Sequence, residues 1–306
     1  MNKQIIYYLI YRLTLIFITI VGILFVNFML INLLNINPLE YTLHYALSNN
    51  FINHKFINIE VSPQLINYLK NYFYLYDNFF SQFLHTSYQY LTLNLGRSFY
   101  NNQDVAKLIL VHIKSSIGIS FISTLLIYSL SVLIAYILIV NNNLTLHSII
   151  ISLLLILYLI PTFYFANVFK LFFKSYNLFF AILCNTLSGL WLHSFFIKNL
   201  IQQEIKKTYY TFLFFNNQKP KIFKNIIFIC MADLPFILIY TIFGSSVIVE
   251  IIFNINGIGL LIYHSFLYKD YPVILGIIFV MSLLGLMFRL FNDLLLKVIN
   301  KKLNLY

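Results

Sequence analysis

Apolar residues gather into six long runs, at 13–34, 115–140, 146–173, 176–197, 226–249 and 273–291, with polar or aromatic intervals between them. About 20 apolar residues are needed to cross a hydrocarbon core of ~30 Å. Each run therefore predicts a membrane-spanning helix, and the chain reads as an all-α integral membrane protein of six such helices. Pro161 lies inside the third run and predicts a kink there. His193, near the end of the fourth, is either a functional polar group inside the membrane or an anchor at its surface. Asp233 and Pro235 lie inside the fifth.

The intervals give the topology. Residues 35–114 carry Glu40, Glu60, Asp77 and Asp104 against Lys55, Lys70, Arg97, Lys107 and Lys114, so this long segment is nearly neutral. Such segments cross a membrane regardless of charge. Residues 198–224 hold Lys198, Lys206, Lys207, Lys219, Lys221 and Lys224 against Glu204 alone. The positive-inside rule puts that loop in the cytoplasm. Lys3 and Arg12 precede the first span, and Arg289, Lys297, Lys301 and Lys302 end the last. Both termini are thus expected inside. No small-residue cleavage site follows the first run, so it is read as a retained helix. The expected division is 1–34, a cytoplasmic N-terminus with the first helix; 35–114, an insert outside; and 115–306, the remaining five helices.

Composition agrees. The chain is 60% hydrophobic and 9% charged with a mean hydropathy of +0.83, far from the ~25% charge of soluble domains. A formal net charge of +11 would suggest nucleic acid in a soluble protein. Here no basic groove-reading element is present, and the excess is explained by topology. Cys184 and Cys230 both lie in apolar runs and read as small core residues, with neither a disulfide framework nor a metal site implied.

One stretch stands apart from the Ile-, Leu-, Phe- and Asn-rich background. Residues 244–276 combine Ser245, Ser246, Glu250, Phe253, Gly257, Gly259, Asp270, Tyr271, Pro272 and Gly276. Glycine permits positive φ and close backbone approach, and Pro272 disfavours helix at Tyr271. A chain that breaks, re-enters and restarts is expected. Irregular backbone at membrane depth needs burial in protein or a cavity to line, which is where a gate would sit. Glu250 and Asp270 either hold the fold of this stretch or meet a solute or partner. Asp233, several turns into its helix, either lines a path or bonds a neighbouring helix. No phosphate-binding G-x-x-x-x-G-K-[ST] loop, H-E-x-x-H pair or G-x-S-x-G elbow occurs. No catalytic residue and no metal ligand is assigned.

The order Ser245-Ser246 to Glu250, Phe253, Gly257, Gly259, then Lys269-Asp270-Tyr271-Pro272, Gly276 and finally Asp293 resembles the C-terminal signature of B-type inner-membrane permeases of oligopeptide and dipeptide ABC importers. Within that family the wording is closest to the Yej type, associated with peptide and microcin uptake. Leu95-Gly96-Arg97-Ser98 with Val105 and Leu108-Ile109 is similar to the family's segment ahead of its second helix, and implies a docking element for a solute-binding protein.

The resemblance implies a type I importer permease in the bacterial inner membrane, working by alternating access on peptides or peptide-like solutes, with nickel chelates as the alternative. It implies a second homologous permease subunit, two ATP-binding subunits and a periplasmic solute-binding protein as partners. ATP and magnesium would be held by the ATPase, and no cofactor by this chain. The 198–224 loop would couple to the ATPase through Tyr209, Thr211, Phe212 and Phe215, with Lys206 and Lys207 beside them. The alanines and glycine of the family's coupling pattern are missing there. Two other classes stay open: an ion-coupled carrier with Asp233 as its proton site, and a permease subunit that assembles without coupling.

Overall fold

In a computed structural model, residues 3–33, 78–141, 143–173, 177–205 and 234–303 are described. They are helical, with no strand among them beyond one isolated bridge between Arg97 and Asp104. The helices are α1 (Lys3–Leu33), α2 (Phe79–Leu91), α3 (Val105–Val140), α4 (Leu144–Leu159), α5 (Thr162–Phe172), α6 (Asn177–Ile205), α7 (Leu234–Tyr240), α8 (Ser246–Phe253), α9 (Ile258–Leu267) and α10 (Tyr271–Leu303). A π-helical turn, Thr241–Ser245, joins α7 to α8. Four helices are long and apolar enough to cross a membrane, and six spans result if α4 with α5, and the segment Ile237–Phe253 with α9, each count as one bent span.

Where the spans differ from the hydropathy pattern, local chemistry explains it. Helix α3 begins at Val105, well before the apolar run at 115. In its first turns Val105, Ile109 and Ile113 recur every four residues and are buried, while Lys107, Leu110 and Val111 face out. Asp104 starts it by accepting the Ala106 N–H at 2.9 Å. Pro161 does more than kink the third span. Ile160, held extended by the proline that follows it, and Pro161 itself (ψ 146°) end α4, and α5 leaves at 85°. Asn143 caps α4 by accepting the Thr145 N–H at 3.1 Å.

The described residues form two compact units, one of those up to Val111 with Ile262–Leu283, the other of His112–Leu261 with those from Leu284 on. In the first, Phe25 and Phe28 of α1 meet Phe79 and Phe83 of α2 edge to face, and Tyr90 packs edge-on against Phe279 of α10. Burial pushes the Tyr90 phenol above its ordinary range.

In the second unit α6 is the central helix. One face carries Phe180, Ala181 and Cys184 into a cluster with Ala166 of α5 and Val249 and Phe253 of α8. Cys184 is the small core residue the sequence implied. Another face packs Ile197 and Ile201 against Ala135 of α3. A Cβ on Gly189 would lie 2.7 Å from Ile127 Cδ1, so α3 and α6 approach closely there. His193 is 1% exposed and edge-on to Tyr240, which places it in the protein core. Outward-facing large side chains such as Phe17, Leu133, Leu153 and Phe195 remain exposed, as expected of helices solvated by lipid or by other subunits.

Candidate functional site

The signature stretch folds as a broken helix. Helix α8 ends at Phe253 because Asn254 takes the left-handed conformation (φ 53°), its N–H reaching back to Ile251 O at 3.3 Å while the Ile255 N–H reaches Glu250 O at 2.9 Å. Asparagine tolerates that conformation better than most side chains. Four residues later α9 starts at Ile258, turned by 70°. A helix end at membrane depth leaves carbonyls without partners, and Lys170 at the end of α5 donates its Nζ to Ile252 O at 2.5 Å.

Glu250 closes the break. Its side chain is 1% exposed, and a buried carboxylate is tolerated only with strong partners. Ser246, one turn back, donates to Oε1 at 2.6 Å, and the Gly259 N–H donates to Oε2 at 2.7 Å. The neighbouring Ile258 N–H is taken by Ser116 Oγ of α3 at 2.8 Å. The carboxylate thus meets the N-terminus of α9, where unsatisfied N–H groups and the helix dipole favour negative charge. Three segments, α3, α8 and α9, are tied at one point.

The two glycines make that contact possible by having no side chain. A Cβ on Gly257 would lie 2.2 Å from Glu250 Oε2 and 2.7 Å from Ser116 Oγ. A Cβ on Gly259 would lie 2.6 Å from the Val247 backbone. Neither glycine has positive φ, which falls instead on Asn254 and Lys269. Close approach is therefore the physical reason for both, and the positive-φ expectation is corrected.

The second part of the signature folds within the other unit. Asp270, 4% exposed, accepts from Ser98 Oγ at 2.5 Å and from the Phe99 N–H at 3.0 Å. Ser98 Oγ in turn accepts from the Tyr100 and Asn101 N–H groups at 3.3 and 3.2 Å. Gly96 (φ 80°) starts this loop, and the Val105 N–H returns to Gly96 O at 3.1 Å. The Leu-Gly-Arg-Ser motif and the Asp-Tyr-Pro motif are thus one structure. Tyr100 stacks on Tyr268 with ring centroids 4.0 Å apart, and a hydrogen bond to Tyr268 holds the Tyr100 phenol above its ordinary range. Tyr271 is the first residue of α10, with Pro272 in the first turn, where a missing N–H costs nothing. This corrects the expectation that proline would exclude Tyr271 from helix. Gly276 lets α10 cross α3: a Cβ there would lie 2.7 Å from Val105 Cγ1 and 3.3 Å from Ile109 Cδ1.

Of the remaining sequence candidates, Phe253 is core, at 1% exposure. Ser245 is buried, but its neighbour Ser246 is the residue that reaches Glu250. Asp293 lies half-buried on α10. Asp233, Lys206, Lys207, Tyr209, Thr211, Phe212 and Phe215 lie outside the described residues. Sequence reasoning missed Ser116, Asn254 and Lys170, and named Ser246 without its pairing to Glu250. The i, i+4 spacing of Ser246 and Glu250 was the one available signal.

No protein-family model matches the chain. Among curated proteins it is similar to the peptidoglycan transport system permease protein YejB of Agrobacterium fabrum, at 24% identity over 280 residues, covering 80% of this chain and 77% of that one. It is also similar to the inner membrane ABC transporter permease protein YejB of Escherichia coli O157:H7, at 23% identity over 253 residues, covering 71% and 70%. The likeness read from the signature is borne out by both relatives.

Proposed function

We propose that this chain, a relative of YejB-type permeases, is the membrane-spanning permease subunit of an ABC importer for peptides or peptide-like solutes. The observation that carries the proposal is the conjunction of two facts. The likeness to two ABC permeases runs over most of the chain, and Glu250, Gly257 and Gly259, which the sequence reading assigns to the permease signature, meet Ser116 and Ser246 at the broken helix. A broken, protein-buried segment in a membrane domain is an element that can adopt two arrangements, which alternating access requires.

In this proposal the inner membrane holds the chain with both termini and residues 198–224 in the cytoplasm, and residues 35–114 outside. A second homologous permease subunit completes the path. Two ATPase subunits bind ATP and magnesium, since this chain has no phosphate-binding loop, and a solute-binding protein delivers the cargo to the outer face. The chain itself carries no catalytic group and binds no cofactor. Motion passes from the ATPase through the 198–224 segment into α6, whose described part ends at Ile205.

The test is purification of the tagged chain from its native membrane. Co-purification of a second permease and a P-loop ATPase, with hydrolysis stimulated by a loaded solute-binding protein, is the expected result. A chain that purifies with no ATPase, yet takes up solute under a proton gradient, would be an ion-coupled carrier. A complex whose hydrolysis ignores solute would be a permease that assembles without coupling.

A further inference from the structure

Three buried polar groups of the second unit take no part in the Glu250 clamp. They are Ser120 on α3, Asn185 on α6 and Ser245 at the end of the π-helical turn, exposed to 0%, 0% and 4%. Ser120 Oγ, Ser245 Oγ and both amide atoms of Asn185 have no hydrogen-bond partner among the described residues.

The helix register brings Ser120 and Ser245 to one level and Asn185 about one turn further along α3. Ser116 of α3 meets the start of α9 beside Glu250, and two turns along α3 the Thr124 hydroxyl lies 3.1 Å from that of Thr241. The two segments therefore run antiparallel. Ser120, midway between Ser116 and Thr124, comes opposite Ser245, one turn from Thr241. Helix α6 runs parallel to α3, with Ser123 Oγ donating to Ile182 O at 3.4 Å and Gly189 close against Ile127. Asn185 falls between those contacts. It also follows Cys184, which faces Val249 and Phe253, so its place on the helix is toward the gap between α3 and α8.

A hydroxyl or amide unpaired in apolar surroundings is costly, and native structures pair such groups or fill the space with water. Here α3, α6 and the π-helical turn each carry one such group within about a turn of the others. Two hydroxyls and one primary amide offer both donors and acceptors and no charge. We infer that Ser120, Asn185 and Ser245 form a binding site for a small neutral group that both donates and accepts hydrogen bonds, either water or an amide of the transported solute. The solute case rests on the permease function proposed above. Either occupant makes this junction a polar point inside the membrane domain.

The test uses the full-length chain in membrane vesicles, with Cys184→Ala and Cys230→Ser to remove native thiols. Single cysteines are placed as S120C, N185C and S245C, and as A181C in the neighbouring apolar cluster. A small water-soluble methanethiosulfonate should modify the three site cysteines at least ten-fold faster than A181C. Slowing of N185C labelling by millimolar trialanine assigns the site to a solute amide, and an unchanged rate assigns it to water. Equal rates at all four positions would overturn the site. A second measurement guards against a misfolded cysteine variant. Asn185→Leu should lower the melting temperature if the amide is occupied, and a raised melting temperature would mean a dry, empty junction and end the proposal. Co-purification of the ATPase reports separately on the permease function, so failure of one leaves the other standing.

Discussion

Ser98 and Asp270 are 172 residues apart in the chain and share a hydrogen bond of 2.5 Å. The Phe99 N–H takes the other carboxylate oxygen at 3.0 Å, so Asp270 holds the loop that precedes α3 with both of its oxygens. With Gly276 crossing Val105 and Tyr268 stacked on Tyr100, three contacts join the α9–α10 turn and the first turns of α10 to the loop before α3 and the first residue of α3. The acid of the Asp-Tyr-Pro motif acts here as a fastening for backbone and hydroxyl donors.

Removing that fastening should be costly. Asp270→Ala takes away the acceptor of the buried Ser98 hydroxyl and of the half-buried Phe99 N–H, a loss of about 2–4 kcal/mol. Asp270→Asn keeps one acceptor and should lose roughly half as much. Thermal unfolding of the detergent-solubilised chain checks the order, and an Asn variant as unstable as the Ala variant would mean that the charge, rather than the acceptor, matters.

The glycines of the break should differ in tolerance. A methyl group on Gly257 meets the end of a side chain, Glu250 Oε2, whereas one on Gly259 meets the Val247 backbone at 2.6 Å. Gly257→Ala should cost about 1–3 kcal/mol, as overpacking does, and Gly259→Ala more. Glu250→Ala should offset part of the Gly257→Ala penalty, giving a coupling of about 1 kcal/mol in a double-mutant cycle. Valine at both glycines should abolish uptake while the chain still inserts. Strict additivity of Gly257→Ala and Glu250→Ala in melting experiments would show that the two do not meet.

A similar argument applies at the α3–α10 crossing. Gly276→Ala places a methyl 2.7 Å from Val105 Cγ1, in a cluster where Val105 and Ile109 are buried. Loss of about 1–3 kcal/mol is expected, with recovery of much of it by Val105→Ala, which vacates the same space. The comparison of single and double variants by thermal unfolding decides this. No recovery would place the strain elsewhere.

Much of this was legible in the sequence, and the exceptions have physical causes. Hydropathy located the spans because lipid exposure demands apolar side chains over their full length. It missed the true start of α3, since Lys107, His112 and Lys114 interrupt the apolar pattern there while Val105 and Ile109 are buried. The residues Glu250, Gly257, Gly259 and Asp270 stood out because acids and glycines are rare in such a chain. Their pairings did not: the motifs include Ser98 and Ser246 only as motif residues and Ser116 not at all, and the contacts of Ser98 and Ser116 span 172 and 142 residues. The role of the glycines was half read. The sequence implies room for either positive φ or close approach, and only the geometry assigns the left-handed conformation to Asn254 and Lys269.

The last prediction concerns coupling to the ATPase. A permease without a nucleotide site must receive its motion through a cytoplasmic contact, and the basic segment 198–224 begins in the last turns of α6, whose described part ends at Ile205. Under the proposed function, Tyr209, Phe212 and Phe215 would supply apolar anchors for a cleft, and Lys206 and Lys207 a charged rim that guides docking more than it holds. Aromatic packing would then replace the small residues that the family pattern has at this point. Changing Phe212 and Phe215 to Asp should release the ATPase from solubilised complexes, since burying two carboxylates in an apolar cleft costs several kcal/mol. Lys206→Gln with Lys207→Gln should leave the complex intact at low salt and mainly weaken the salt dependence of assembly. Pull-down of the ATPase at two salt concentrations separates these outcomes. An ATPase that stays bound and solute-stimulated with both aspartates in place would mean that force enters the membrane domain by another contact, and that α6 is not its lever.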